Sequence, residues 1–89
     1  MREPYLEVSF RHGRPLAAYL YLPREDGERS SRTERVEDGV IVDYSDAGRP
    51  IGLEFTVPAR VTLAGINGIL RRLGQRAIRA EDLAPLVAA

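Results

Sequence analysis

Apolar and polar residues alternate along the first two thirds of the chain. This period of two predicts half-buried β-strands over residues 5–11, 17–22, 40–44 and 51–57, each with a glycine or a proline close behind it. Since alternate side chains of a strand point to the same side, the pattern also predicts one apolar face of a sheet. The residues assigned to that face are Leu6, Val8, Phe10, Leu20, Leu22, Val40, Val42, Leu53 and Phe55.

Polar segments separate these strands. Residues 24–35 are polar and charged, which predicts a loop with order returning near Thr33. Because residues 24–32 contain no large apolar side chain, we expect nothing to anchor this loop to the core. Gly48, between the last two strands, suits the left-handed backbone that hairpin loops require.

The hydrophobic period changes after residue 60. Leu63, Ile66, Leu70 and Leu73 recur at the spacing of one helical face, which predicts an amphipathic helix. Thr62 is a natural N-cap for that helix. The helical segment would therefore provide the apolar surface that covers the sheet.

Together these patterns predict one α+β domain over residues 1–89. A four-stranded antiparallel β-meander occupies 5–57, and one of its faces is covered by a C-terminal helix in the segment 62–89. A short second helix follows near 80–83, where acidic residues suit a helix N-terminus. The opposite face of the sheet would carry Glu7, Ser9, Tyr19, Tyr21, Ile41, Asp43, Glu54 and Thr56.

Composition narrows the classes of function. The 13 basic residues, all of them arginine, balance 13 acidic ones, so no global field steers the chain towards nucleic acid or an acidic membrane. The absence of cysteine excludes disulfides, thiolate chemistry and cysteine-bound zinc. No window approaches the roughly 20 apolar residues of a membrane span, so the expected compartment is the cytoplasm.

The chain contains a glycine-rich hairpin pattern at residues 37–44 and 46–55, preceded by the strand 18–22. This pattern resembles a bacterial family, domain of unknown function 2283. The resemblance covers roughly residues 5–57. The resemblance implies a meander-plus-helix fold, no established activity and, for some members, a place beside small toxin-like genes. That family tends to carry acidic residues in the first hairpin turn, where this chain has 12–15, His-Gly-Arg-Pro.

Two tyrosines and an isoleucine form the first candidate site. Tyr19 and Tyr21 lie two residues apart on the polar face of the predicted sheet, near Ile41. Aromatic side chains with polar tips favour interfaces, and they also suit base stacking. The plainer interpretation is that they are ordinary half-exposed sheet aromatics.

The titratable residues give weaker candidates. Asp43 and Glu54 share a predicted face on paired strands, so they could perform acid–base chemistry or simply form ion pairs with arginine. His12 is the only histidine and stands alone in a turn, which favours a solvated residue over a catalytic or metal-binding one. A third candidate, an anion or partner patch that could equally be a solvated helix face, consists of Arg71, Arg72, Arg76 and Arg79.

The sequence thus favours a non-enzymatic, homodimeric protein-interaction module without catalytic residues, metal or cofactor. A small toxin-like protein is a candidate partner. The alternative is a small-ligand-binding or catalytic domain that uses Asp43, Glu54 and arginines, and a weaker alternative is a nucleic-acid binder.

Overall fold

The computed structural model describes residues 3–87, with side chains up to residue 86, and it has an α+β fold. Its centre is a single five-stranded antiparallel sheet with the spatial order β1-β2-β5-β4-β3. The strands are β1 (Tyr5–Arg11), β2 (Arg14–Tyr21), β3 (Ser30–Glu37), β4 (Val40–Ser45) and β5 (Pro50–Phe55).

The prediction of a loop over 24–35 and of only four strands is wrong. Residues 30–37 form β3, an edge strand that pairs antiparallel with β4. Its side chains are exposed apart from the half-buried Val36, so the apolar alternation that reveals a strand is missing. Backbone hydrogen bonding to β4, rather than burial of side chains, keeps this segment in the sheet.

The order of the strands also departs from a simple meander. After β2 the chain crosses to the far edge of the sheet, forms β3 and returns through β4, so that β5 lies next to β2. The pairing of β2 with β5 extends from Ala18 opposite Phe55 to Tyr21 opposite Gly52. This pairing joins the β1–β2 hairpin to the β3–β4–β5 unit.

Polar contacts fasten the connection between β2 and β3, which the sequence predicted to lack anchors. The Arg24 guanidinium donates to the carbonyl oxygen of Ile51 at 2.7 Å. The Glu28 carboxylate accepts from both Nε and Nη2 of Arg49, at 3.2 and 2.9 Å. Polar side chains of the loop therefore dock on β5 and its preceding turn.

The apolar face is largely as predicted. Of its nine residues, Leu6, Leu20, Leu22, Val40, Val42, Leu53 and Phe55 are buried and Val8 is partly buried. Phe10 is the exception, with half of its surface exposed. It follows an irregularity in the pairing of β1 with β2, near the end of a hairpin that no other strand flanks at that level.

The helix α1 (Leu63–Arg72) covers this face. As predicted, Thr62 is its N-cap and accepts a hydrogen bond from the amide of Gly65 at 3.0 Å. Ile66, Ile69 and Leu70 are buried in the core, so the buried side of the helix is wider than the predicted stripe, which omitted Ile69.

The chain then folds back along α1. The Asn67 side chain donates to the carbonyl of Ile78 and accepts from its amide, at 3.1 and 2.9 Å. A 3₁₀ turn (Ala80–Leu83) and the short helix α2 (Ala84–Val87) follow, as the acidic stretch predicted. Ile78 and Leu83 are buried and extend the core beyond α1.

Replacing Leu70 by alanine tests the packing of α1. Leu70 is fully buried, so Leu70→Ala is expected to lower the free energy of unfolding by about 2–5 kcal/mol. The matched control is Arg72→Ala, because Arg72 is exposed and forms one ion pair, with Glu37 at 2.9 Å. Its loss should cost about 0.5 kcal/mol. Denaturant melts of both variants measure the difference, and a larger effect of Arg72→Ala would contradict the placement of the helix.

Candidate functional site

The face of the sheet opposite α1 carries two rows of side chains, which we call the open face. Residues directly opposite each other in antiparallel strands point to the same side, so the register fixes both rows. From β1 to β3 the first row is Tyr5, Tyr21, Gly52, Asp43 and Thr33. The second row, in the same direction, is Glu7, Tyr19, Glu54, Ile41 and Arg35.

Three tyrosines pack together at the β1–β2 side of the open face. The rings of Tyr5 and Tyr21 stack with centroids 4.5 Å apart and planes 15° apart. The ring of Tyr19 lies 4.7 Å from that of Tyr21 at an angle of 58°. Tyr19 and Tyr21 lie on the face predicted for them; Tyr5 was not among the predicted residues, although its alternation with Leu6 indicates the same side.

The Tyr19 side chain reaches across β5. Its hydroxyl donates to the carboxylate of Asp43, which lies on β4. The ring passes directly over Gly52, where a Cβ would overlap both the hydroxyl and the ring of Tyr19. The absence of a side chain at Gly52 is therefore what allows a residue on β2 to bond one on β4.

The surroundings of these tyrosines keep their hydroxyls protonated. Burial raises the pKa of Tyr19 well above its usual value, and the hydrogen bond to Asp43 and the charge of that carboxylate raise it further. Burial also raises the pKa of Tyr21, with a further contribution from Glu7, whose carboxylate accepts from the Tyr21 hydroxyl at 3.2 Å. Both hydroxyls act as hydrogen-bond donors and are unsuited to serve as bases near neutral pH.

Arg24 borders the cluster. Its guanidinium carbon lies 5.6 Å from the centre of the Tyr21 ring, within the range of a cation–π contact. Because the same guanidinium bonds the carbonyl of Ile51, the arginine is held between the backbone of β5 and the tyrosines. This position makes the loop after β2 one border of the open face.

Asp43 and Glu54 lie on the same face of the sheet, as predicted, but each stands opposite a different residue of the neighbouring strand. Asp43 stands opposite Gly52 and Glu54 opposite Ile41, so the two carboxylates are diagonal neighbours on β4 and β5. The Asp43 carboxylate accepts the Tyr19 hydroxyl instead of facing an open cavity. This hydrogen bond orients the Tyr19 hydroxyl toward β4.

Ile41, the third residue of the predicted interface, lies apart from the tyrosines. It is half-buried on the open face, and Glu54 separates it from Tyr19 along the second row. The aromatic cluster and Ile41 thus lie on the two sides of β5, and a surface that includes both must extend from β2 to β4.

The four candidate arginines lie on two consecutive segments of the chain. Arg71 and Arg72 end α1, whereas Arg76 and Arg79 lie on the segment that folds back. All four are exposed, and Arg72 pairs with Glu37. His12 occupies the tip of the β1–β2 hairpin with φ of 53°.

Neither a metal-binding cluster nor a membrane-spanning helix is found in the part of the chain that the structure describes. Within residues 3–87, no three histidine or acidic side chains lie close enough together to hold a metal ion. Across the same residues, no helix has the length and apolar character needed to cross a membrane.

One comparison with known proteins gave a match. Residues 17–56 match the family model described as Protein of unknown function (DUF2283), which covers most of β2 and all of β3, β4 and β5. No curated protein and no solved structure matches the chain.

Replacing Gly52 by alanine tests the crossing of Tyr19 over β5. The new methyl group would force the tyrosine ring off the sheet, so Gly52→Ala should break the bond to Asp43 and lower stability by about 1–3 kcal/mol. The control is Gly68→Ala on α1, where a Cβ meets open space and helix propensity favours alanine. Thermal melts and near-ultraviolet circular dichroism report both effects, and equal behaviour of the two variants would contradict the geometry.

The ionisation of Tyr19 is a second test. Absorbance at alkaline pH should show one tyrosine that ionises well above the usual value of about 10, and Tyr19→Phe should remove that component. Because burial, together with Asp43, raises the folded-state pKa of Tyr19, the protonated hydroxyl stabilises the fold below about pH 10, and this contribution is lost as pH rises through the raised value. Asp43→Asn should lower the pKa of Tyr19, and an unchanged titration in that variant would contradict the assignment.

Proposed function

The chain belongs to the DUF2283 family through the segment that forms most of β2 and all of β3, β4 and β5, and since that family has no assigned activity, we propose a function from the geometry of the open face. The protein is a non-enzymatic interaction module, and its open face binds the open face of a second copy. The observation that carries this proposal is the ordered tyrosine cluster on the side of the sheet opposite α1.

The cluster is arranged before any partner binds. Ring stacking and hydrogen bonds to Glu7 and Asp43 fix the tyrosine side chains, so their ordering costs little entropy on association. Tyrosine combines a large apolar ring with a polar tip and is enriched at protein interfaces. Tyr5, half exposed at the border of the cluster, offers the most accessible ring.

The edges of the sheet are less suited to association than its face. The edge strand β3 carries mostly charged and hydroxyl side chains, and two irregularities interrupt its pairing with β4. Bulges and charges of this kind discourage the addition of another strand. The other edge strand, β1, also contains an irregularity. The open face is therefore better suited than the sheet edges to bind a partner.

The charges on this face favour a second copy as the partner. Glu7 and Glu54 lie in the same row as Arg35, and Arg24 borders the tyrosines. A surface with both signs of charge can complement itself, as the shared interface of a two-fold dimer requires. A chain of 89 residues also gains proportionally more from added burial than a larger domain does.

The chemistry of Asp43 and Tyr19 supports binding over catalysis. Asp43, a candidate for acid–base chemistry, accepts a hydrogen bond from the Tyr19 hydroxyl. The raised pKa of Tyr19 keeps that hydroxyl protonated. Such a pair rigidifies a surface without supplying a group that exchanges protons with a substrate.

Sedimentation equilibrium of two matched variants tests this proposal. Tyr5 and Phe10 both lie on β1 and are each half exposed, but only Tyr5 belongs to the open face. The unmodified chain should be a dimer at micromolar concentration. Tyr5→Ser should weaken the dimer about tenfold or more, because interface aromatics contribute disproportionately to affinity, whereas Phe10→Ser should leave it unchanged.

Far-ultraviolet circular dichroism must show that both variants are folded. A chain that remains monomeric throughout the micromolar range would refute the homodimer. If Phe10→Ser alone caused dissociation, the interface would lie at the hairpin end and not on the open face.

A further inference from the structure

The tip of the β1–β2 hairpin places two arginines directly opposite each other. Arg11 and Arg14 are register partners, joined only by His12 and Gly13. Both turn residues have positive φ, 53° and 76°, which is the backbone of a tight two-residue turn. The short turn fixes the backbone separation of the two arginines, so their charges share one small region of surface.

This pair lacks compensation within the protein. Like charges directly opposite each other on paired strands repel. Among the residues that the structure describes, the ion pairs involve Arg32, Arg49 and Arg72, and none involves Arg11 or Arg14. The tip therefore concentrates positive charge that no carboxylate of the described chain neutralises.

The same residues surround a surface hollow of about 420 Å³. Its lining consists of Arg11, His12, Arg14, Pro15 and Leu16, so three nitrogen-bearing side chains and two apolar ones border a shallow, open depression. Leu16 is more than half exposed, which keeps the apolar wall of the hollow accessible.

We infer that this hollow binds a phosphate group between Arg11 and Arg14. Each guanidinium presents a planar fork of N–H donors that matches the oxygens of a phosphate, and an anion between two arginines removes their repulsion. His12 offers a further donor on the rim. The phosphate can belong to a free ion or to a lipid headgroup, because both present the same oxygens to the arginines.

The arginines at the end of α1 are a poorer candidate for the same ligand. Arg72 pairs with Glu37 at 2.9 Å. The hollow that Arg72 borders is also lined by Glu34, which would repel an anion. The hollow at the hairpin tip is lined by two arginines, a histidine and two apolar residues, without a carboxylate.

Titration with inorganic phosphate, followed by amide NMR at constant ionic strength, tests the site. Shifts should concentrate in residues 10–16 and saturate. Arg11→Gln and Arg14→Gln should each weaken binding about tenfold, as expected for loss of charge-assisted hydrogen bonds. The matched control is Arg29→Gln, an exposed arginine of the β2–β3 connection, which should bind phosphate like the unmodified chain.

Vesicles distinguish the two sources of phosphate. If the ligand is a lipid headgroup, vesicles of phosphatidylglycerol should sediment the chain, and Leu16→Ser should weaken that sedimentation while leaving the binding of inorganic phosphate intact. If the ligand is a free phosphate, inorganic phosphate should saturate the site and the vesicles should not sediment the chain. Both outcomes support the hairpin-tip site, because both require Arg11 and Arg14.

Stability gives an independent readout. At low ionic strength without phosphate, Arg11→Gln should raise the melting temperature, because it removes the cross-strand repulsion. Phosphate should raise the melting temperature of the unmodified chain more than that of Arg11→Gln. The inference is overturned if phosphate shifts scatter over all arginines without saturating, or if Arg29→Gln weakens binding as much as Arg11→Gln.

Discussion

The pairing of β2 with β5 is the contact on which both faces of the sheet depend. On one side it sets Leu20 opposite Leu53 in the core, and on the other it sets Tyr21 opposite Gly52. A shift of one residue would turn every side chain of β2 to the wrong face. The same register that buries the apolar residues therefore also brings Tyr19 within reach of Asp43.

Features that depend on local sequence were predictable, and those that depend on distant segments were not. The N-cap at Thr62 and the buried Leu70 follow from spacing within one helix. The strand β3 escaped detection because an exposed edge strand needs no apolar alternation. Phe10 has the right period for burial, yet it lies where the hairpin extends beyond the rest of the sheet. The local sequence pattern does not indicate that a residue lies beyond the flanking strands.

The candidate site, like the fold, was only partly predictable from the sequence. Alternation alone places Tyr19 and Asp43 on one face, because Tyr19 lies between two buried residues and Asp43 follows the buried Val42. Their hydrogen bond additionally requires that β5 lie between β2 and β4 and that a glycine stand beneath the ring. The order of the strands is a non-local property, so the sequence indicated the participants and not the bond that joins them.

The crossing of the chain from β2 to the far edge has a consequence for how the protein folds. The strands β3, β4 and β5 are connected by short turns, so they can associate through contacts that are local in sequence. The β2–β5 ladder forms only after the intervening residues 22–49 have been closed into a loop, which carries an entropic cost before any compensating contact exists. The core beneath Leu20 and Leu53 and the tyrosine surface above Gly52 therefore depend on the same ladder, and a chain in which that ladder has not formed lacks both.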